Sequence, residues 1–418
     1  MNNQSAGEIK GITGLKGWAV LSVFLIHAGG SFRHISPYIN HVIDFAKYGV
    51  IIFLVISAFT LCLSLNQKKN FSFADYIKRR FMRIAPTYFF LLIIVFSVVN
   101  VFSTSSAIQK YNFWDLFTHL TFINLSPLFP EYQGSIIAVA WVIPIMWWYY
   151  FLIPWIYFGI RRVVSHVFIL LLAGVILYFN YDLLLIPHNA TGGFYWTMQQ
   201  FFVIYVLGIS AAIILKNSKR RLLGINSTNS KVTTLLFGTA FFVYFYIRIG
   251  QRSELLYIGI LLLLMLYALY IKKFLLSFLN KPMLKFIIMN IDMLLLLIIP
   301  LLYIYHNHPN PIIFTGFWGT AILICMMKES FLEKLFFENR ITYFIGKISY
   351  PFFLSHTLVM SVIDSNMNLG DTTIRFFVIL LVSLLISTVL HFTIENWGLG
   401  KKLIKVHSEV EDRIQHKN

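Results

Sequence analysis

Stretches of about twenty consecutive apolar residues recur along this chain from near its first residues almost to its last. Each is long enough to cross the hydrocarbon core of a bilayer as a helix. In hydrocarbon every backbone N–H and C=O must be satisfied within the structure, which leaves only helices or a closed barrel. The runs are continuous rather than alternating, and are too long for barrel strands. Composition agrees: 58% of the 418 residues are hydrophobic, 12% are charged, and the mean hydropathy is +0.73. A soluble domain carries about 25% charged residues and cannot absorb this much apolar surface. The expected fold class is therefore all-α, a polytopic membrane helix bundle of about 12 spans (10–12).

The spans fall at 12–31, 48–66, 84–103, 136–158, 164–181, 194–215, 232–247, 254–271, 286–305, 311–327, 344–363 and 373–395. Of the 34 lysines and arginines, 28 lie at the two ends or in alternate connections. Those on the other side are Arg33, Lys47, Lys110, Arg248, Arg252 and Arg375. The positive-inside rule then places both termini in the cytoplasm. The net charge of +17 is thus mainly a topology signal, with contact to anionic lipid heads secondary; nucleic acid is not an expected partner. The first ten residues are polar and no small-residue cleavage site follows the first apolar run, so no cleaved leader is expected. Cys62 and Cys325 lie inside apolar runs and read as packing residues, with no disulfide framework and no metal site. The organisation expected is one membrane domain over 1–403 and a short charged cytoplasmic tail over 404–418. The longest outer connection, 104–135, lies at the interface or folds back.

The segment "GLKGWAVLSVFLIH" (14–27) places two ionisable groups in the first span. Lys16 and His27 are eleven positions apart, so they share a helix face at an axial separation of about 16 Å. An ionisable group deep in a span is a functional candidate by default. The alternatives are that Lys16 snorkels to lipid phosphates and that His27 satisfies a neighbouring helix. Four more stretches stand out. "IIFLVISAFTLCLSL" (51–65) holds Ser57, and "YIKRRFMRIAPTYFF" (76–90) gathers Arg79, Arg80 and Arg83 just before Pro86 at an expected helix start. "IGKISYPFFLSH" (345–356) brings His356 to mid-span, and "FTIENWGLGKKL" (392–403) closes the last span with Glu395.

In this order, from about residue 10 to 403, these segments resemble the acyltransferase-3 family of integral membrane O-acyltransferases, of the surface polysaccharide O-acetyltransferase type. The first run is similar to the family's "LRG…H" helix, 52–61 to its "FFxISGFxL" helix and 78–88 to its "RRxxRIxPxY" segment. Residues 345–356 are similar to "GxISYxLYLxH" and 394–403 to the closing "IExP" helix. Three positions depart from the pattern. The family arginine is Lys16, which keeps the charge and loses the bidentate fork. The family glycine is Ala58. The fourth-span pattern matches at Trp141, Tyr150 and Pro154, but its acidic pair falls on Met146 and Trp147.

The resemblance implies transfer of an acyl group, acetyl by default and succinyl as the other option, from cytoplasmic acyl-CoA to a hydroxyl of a cell-surface or lipid-linked polysaccharide. It implies a multi-pass protein of the cytoplasmic membrane. Lys16, Arg79, Arg80 and Arg83 would hold the donor's phosphates, with stop-transfer charge as the other reading of the arginines. His27 would be a general base or a transient acyl carrier. Ser57 would reach the depth of His27 and bond the imidazole or the thioester oxygen, or else pack between helices. His356 would line the same cavity or bond a neighbouring backbone. With the acidic pair missing, Asp292 or Glu395 is the possible acid partner, unless each is a structural ion-pair member. Trp114, His119, Glu131, Arg248, Arg252 and His306 would project toward the acceptor on the outer side. Twelve spans with both termini inside also fit a transporter or flippase for a lipid-linked glycan, or a non-catalytic export subunit.

Overall fold

The computed structural model describes residues 9–66, 71–102, 110–124, 135–160, 198–221, 254–266, 275, 281–305, 311–326, 330–370 and 372–395. The expected spans at 164–181 and 232–247, the tail at 404–418, and Glu131, Arg248, Arg252 and His306 lie outside the described residues. Among the described residues all regular structure is helical. The α-helices are α1 (Lys10–Ala28), α2 (Pro37–Ala46), α3 (Gly49–Asn66), α4 (Phe73–Ser97), α5 (Phe113–Leu120), α6 (Val142–Ile160) and α7 (Met198–Arg221). They continue with α8 (Glu254–Leu266), α9 (Pro282–Tyr305), α10 (Pro311–Met326), α11 (Phe331–Phe337), α12 (Arg340–Lys347), α13 (Ser349–Asn366) and α14 (Thr373–Leu390). Two π-helical turns, Val98–Phe102 and His391–Glu395, extend α4 and α14.

Among the described residues, six helical segments are long and apolar enough to cross a membrane: Lys10–Phe32, Pro37–Leu65, Phe73–Val101, Ala138–Gly159, Pro282–Tyr305 and Thr373–Glu395. Phe201–Leu215 and Phe314–Met326 are shorter apolar helices at two further expected spans. The chain divides into two compact units, one formed by 1–67 and 152–347, the other by 68–151 and 348–418.

In the first unit α1 packs against α2, α3, α11 and α12, and α3 against α7 and α10. Lipid offers no hydrophobic drive for helix association, so close backbone approach and van der Waals contact must supply it. Glycines provide that approach. A Cβ at Gly14 would lie 1.7 Å from the Phe337 carbonyl oxygen, one at Gly17 2.4 Å from the Thr342 oxygen, and one at Gly346 1.8 Å from the Thr13 oxygen. The Trp18 indole donates to the Phe336 carbonyl at 2.8 Å and pins the same seam. Gly208 of α7 does the equivalent against α3: its Cβ would lie 2.4 Å from the Val55 oxygen and 2.7 Å from the Ala58 Cβ. The methyl at position 58 is thus accommodated by a glycine on the facing helix. Cys62 and Cys325 are both buried, and neither is in a disulfide.

In the second unit α13 packs against α14 and α4, and α4 against the π-helical turn His391–Glu395. The start of α4 differs from the expected one. The helix begins at Phe73 rather than at Pro86, because the Ser72 hydroxyl accepts the Asp75 N–H at 3.3 Å and caps it. Arg79, Arg80 and Arg83 are therefore helical residues, not loop residues. Pro86 sits inside α4 and removes one backbone bond, a defect of about 3 kcal/mol in a soluble helix that neighbouring helices offset in a bundle. Two residues before it the Ile84 carbonyl accepts the Tyr350 hydroxyl at 2.8 Å, tying α13 to this stretch. Small residues join α13 to α14 through a 3.2 Å bond between the Ser355 and Ser387 hydroxyls. At the other end of that hairpin Arg375 clasps Asp364 with two bonds of 2.7 Å.

Two outcomes follow from this packing. Gly14→Ala or Gly346→Ala should destabilise the purified protein by about 3 kcal/mol through overpacking, whereas Gly159→Ala, with nothing within 4 Å of its Cβ, should melt within a degree or two of the parent or slightly above it. The Arg375 guanidinium hydrogen-bonded to Asp364 holds that carboxyl below its usual range. A depressed carboxyl stabilises the fold fully above its ordinary value near pH 4 and loses the contribution as pH falls through its lower folded value. Hydrogen exchange over 367–372 should therefore accelerate at the acid end of the scan, and Asp364→Asn should remove the pH dependence.

Candidate functional site

Helix α1 is unbroken over Lys10–Ala28, so Lys16 and His27 do share a face, about 16 Å apart along the axis. Gly14 and Gly17 lock the backbone on either side of Lys16, whose side chain is half-buried. His27 is in the last turn of α1 and is exposed rather than packed into the bundle.

Ser57 is placed differently from the expectation. A Cβ on Gly29 would touch Ile43, and one on Gly49 would lie 2.5 Å from the Ala19 oxygen and 2.0 Å from the Ser22 hydroxyl. The chain through α2 and α3 therefore runs back along α1. Ser57 is two turns past Gly49, about 12 Å by helix rise, which brings it to the level of the first turns of α1. The axial gap to His27 is on the order of 20 Å. Ser57 thus lies toward the Lys16 end and cannot bond the His27 imidazole. The reason is that the α1–α2 connection is short and helical, so α3 starts well down the length of α1.

Asp292 is fully buried in α9 and accepts the Met293 N–H at 3.1 Å. It also belongs to the α1-start level. Its neighbour Asn290 accepts the Ser330 hydroxyl at 2.7 Å and the Leu332 N–H at 3.2 Å. Glu333, 3% exposed, closes a capping box with Ser330. A Cβ on Gly11 would lie 3.1 Å from a Glu333 carboxylate oxygen. This buried polar group beside the start of α1 was not singled out from the sequence, although "SFLE" (330–333) carries the capping-box signature.

The second unit carries the other candidates. Arg79 and Arg80 are half-buried and Arg83 is exposed. Arg80 lies 5.5 Å from the centre of the Tyr76 ring and within electrostatic reach of Arg83, Tyr150 and Arg79. Tyr350 is within electrostatic reach of Glu395, Tyr150, Tyr88 and Arg83. The Tyr88 hydroxyl is fully buried and has no hydrogen-bond partner. Glu395, in the π-helical turn after α14, bonds His391 one turn before it. Four tyrosines, three arginines and one carboxylate thus gather on α4, α6, α13 and the end of α14. Tyr88, Tyr150 and Tyr350 are the tyrosines of three of the segments that carry the resemblance, whereas Tyr76 and His391 were missed because nothing in their spacing sets them apart. His356 is 1% exposed. Its Nδ1–H donates to the Phe352 carbonyl at 3.0 Å and its ring stacks on Phe352, fixing the tautomer.

The positions of the missing acidic pair are filled by apolar contacts. Met146 is 5% exposed. Trp147 packs 4.9 Å from the Phe122 ring, 5.3 Å from Phe151 and 5.7 Å from Phe81. Phe122 is the one described non-glycine residue with positive φ, 58°. Its ring stacks on Tyr88 and Phe89.

On the outer connection Trp114 is exposed, as expected. His119 is not: it is 2% exposed and structural. Its Nδ1–H donates to the Asp115 carbonyl at 2.6 Å and its Nε2 accepts the Ile136 N–H at 3.1 Å. The capping box of Asn112 and Asp115 starts α5 so that position 119 falls on the buried face.

A family model described as an acyltransferase domain matches residues 9–228, just over half of the chain. That range carries Lys16, His27, Ser57 and the three arginines, while Asp292, His356 and Glu395 lie beyond it. No curated protein and no solved structure matches. The chain belongs to the acyltransferase-3 family and is a multi-pass membrane acyltransferase.

Proposed function

We propose that this protein transfers an acyl group, acetyl in the first instance, from cytoplasmic acyl-CoA to a hydroxyl of a cell-surface or lipid-linked polysaccharide across the cytoplasmic membrane. The observation that carries the reading is α1. One continuous helix within the family match holds a cation at one end and an exposed imidazole three turns further on. The physical problem is reach. Coenzyme A bears phosphates that cannot enter hydrocarbon, while a surface acceptor stands on the far side. A donor held by its phosphates at the Lys16 level would extend its thin pantetheine arm along α1. The distance from Lys16 to His27, about 16 Å, is of that order.

In this scheme Lys16 supplies charge-assisted contacts to the donor's phosphates, and Arg79, Arg80 and Arg83 form a separate cationic cluster, within the second unit, of a kind suited to phosphate. His27 acts at the thioester in one of two ways. As a base it takes the proton of the acceptor hydroxyl while that oxygen attacks the carbonyl carbon. The carbon–sulfur bond then breaks and coenzyme A leaves as a thiolate that takes up a proton. As a carrier, the imidazole nitrogen attacks first and releases coenzyme A before the acceptor arrives, which gives ping-pong kinetics. His356, with Nδ1 engaged, presents Nε2 as its remaining ring nitrogen.

His27→Ala at normal protein level should lower ester content on surface polysaccharide, and acyl transfer in membranes, by roughly 10²–10⁴-fold. Ester signals read by NMR of the glycan that persist unchanged in that strain would remove His27 from the chemistry. Lys16→Glu should weaken binding of coenzyme A to the purified protein by roughly tenfold or more, since it inverts a charge facing phosphate. Lys16→Arg should bind as the parent does. Equal affinity in all three proteins removes Lys16 from the donor site.

A further inference from the structure

Helices α11 and α12 form a short pair that no step above uses. Each buries one face and shows the other. In α11 Glu333 and Phe337 are buried, while Phe331, Lys334 and Leu335 are exposed. In α12 Thr342, Ile345 and Gly346 are buried, while Arg340, Ile341, Phe344 and Lys347 are exposed. At 3.6 residues per turn each exposed set falls within about a third of its helix circumference. The other faces lie on the first turns of α1, where the Phe337 and Thr342 carbonyls meet Gly14 and Gly17. The exposed faces mix large apolar side chains with cations and carry no acid. The acids of this stretch are Glu333, which is buried, and Glu338, which is half-buried.

Two further observations indicate what covers these faces. First, the patch continues the outward surface of Pro282–Tyr305, a segment long enough to cross a membrane. The Phe331 and Phe286 rings are 5.9 Å apart, and the Ser330 hydroxyl bonds Asn290 of the same helix. Over the first two turns of α9, Met283, Leu284, Phe286 and Ile287 are exposed, and Lys281 and Lys285 are exposed among them. Second, Lys281, Lys285, Lys334 and Arg340 make no ion pair among the described residues. A contiguous apolar patch marks a protein or membrane contact. A bilayer interface satisfies both halves of this one, with apolar side chains in the acyl boundary and cations at the phosphates.

We propose that α11 and α12 lie in the plane of the membrane interface, at the end where α1 begins, on an anionic phospholipid surface. Phe331, Leu335, Ile341 and Phe344 enter the acyl boundary, while Lys334 and Arg340 meet lipid phosphates. The lipid thereby acts on α1. Backbone meets backbone along the glycine seam, with no flexible side chain between, so holding α12 holds the helix that carries Lys16 and His27. The inference stands apart from the donor and acceptor readings.

The test places the full-length protein in nanodiscs of phosphatidylcholine, or of phosphatidylcholine with phosphatidylglycerol of the same acyl chains, and follows amide exchange over 331–347. Phosphatidylglycerol should slow exchange there roughly tenfold, each cation at an anionic surface adding a factor of about five. Lys334→Gln combined with Arg340→Gln should abolish the difference between the two lipids. Lys110→Gln, which removes a charge elsewhere, should keep it. Both native cysteines are buried, so a nitroxide can be attached at Phe344→Cys. It should collide more often with oxygen than with a water-soluble nickel complex. Equal exchange in the two lipids, or a lipid difference that the double variant keeps, overturns the inference; so does the reverse collision ratio. Protection that follows the number of protein copies per disc assigns the face to a second copy and overturns it too. Protection by coenzyme A in phosphatidylcholine that the double variant loses assigns the cations to a soluble phosphate, with the same consequence.

Discussion

The contact on which the first unit depends is backbone against backbone. Along the seam between α1 and the segment 336–346, the absence of side chains at Gly14, Gly17 and Gly346 lets carbonyl groups approach where a methyl would overlap them. In water such a seam would be supported by apolar burial, but in lipid the neighbours are as apolar as the partner helix, and only close contact and fixed dipoles discriminate. The seam therefore sets the rotation of α1 about its axis, and that rotation decides where Lys16 and His27 face. The Trp18 indole, bonded to the Phe336 carbonyl, adds a directional constraint that packing alone lacks.

The second unit is organised by charge rather than by small residues. Its arginines lie on a helix that begins well before the apolar part of α4, capped by Ser72. Their side chains are thereby held at fixed intervals by helix geometry rather than scattered along a loop. Tyrosines fill the space between them. A phenol offers apolar area and one hydrogen-bonding atom, which suits the boundary between lipid and a charged group. The serine contacts between α13 and α14 keep this arrangement on a common frame.

Much of the fold was legible in the sequence because the bilayer reduces the choice of structure to one: apolar length alone fixes helix and position. The expected spans at 12–31, 84–103, 136–158, 286–305 and 373–395 each coincide with a helix long enough to cross. What composition could not show was where helices extend into polar sequence. Phe73–Arg83 reads as a basic inner loop, yet one serine cap makes it helix. The pair on α1 was legible because a 3.6-residue period needs no tertiary information. The depth of Ser57 was not, since it depends on where α3 begins alongside α1. His119 was misplaced for a similar reason: topology gives the side of the membrane, but only the cap at Asn112 tells which way the ring turns. His391 had no signal at all, because its bond to Glu395 is made in a π-helical register.

Met146 and Trp147, which stand where the resemblance leads one to expect two acids, have a consequence for what position 147 can hold. Trp147 now stacks against Phe122, which adopts a left-handed backbone conformation that costs about 1–3 kcal/mol and is held by Tyr88, Phe89 and Trp147 together. Restoring a carboxylate at 147 would withdraw one support from that arrangement and bury a charge among rings. A carboxylate at 147 would therefore cost this packing twice, through the lost ring contacts and through a desolvated charge.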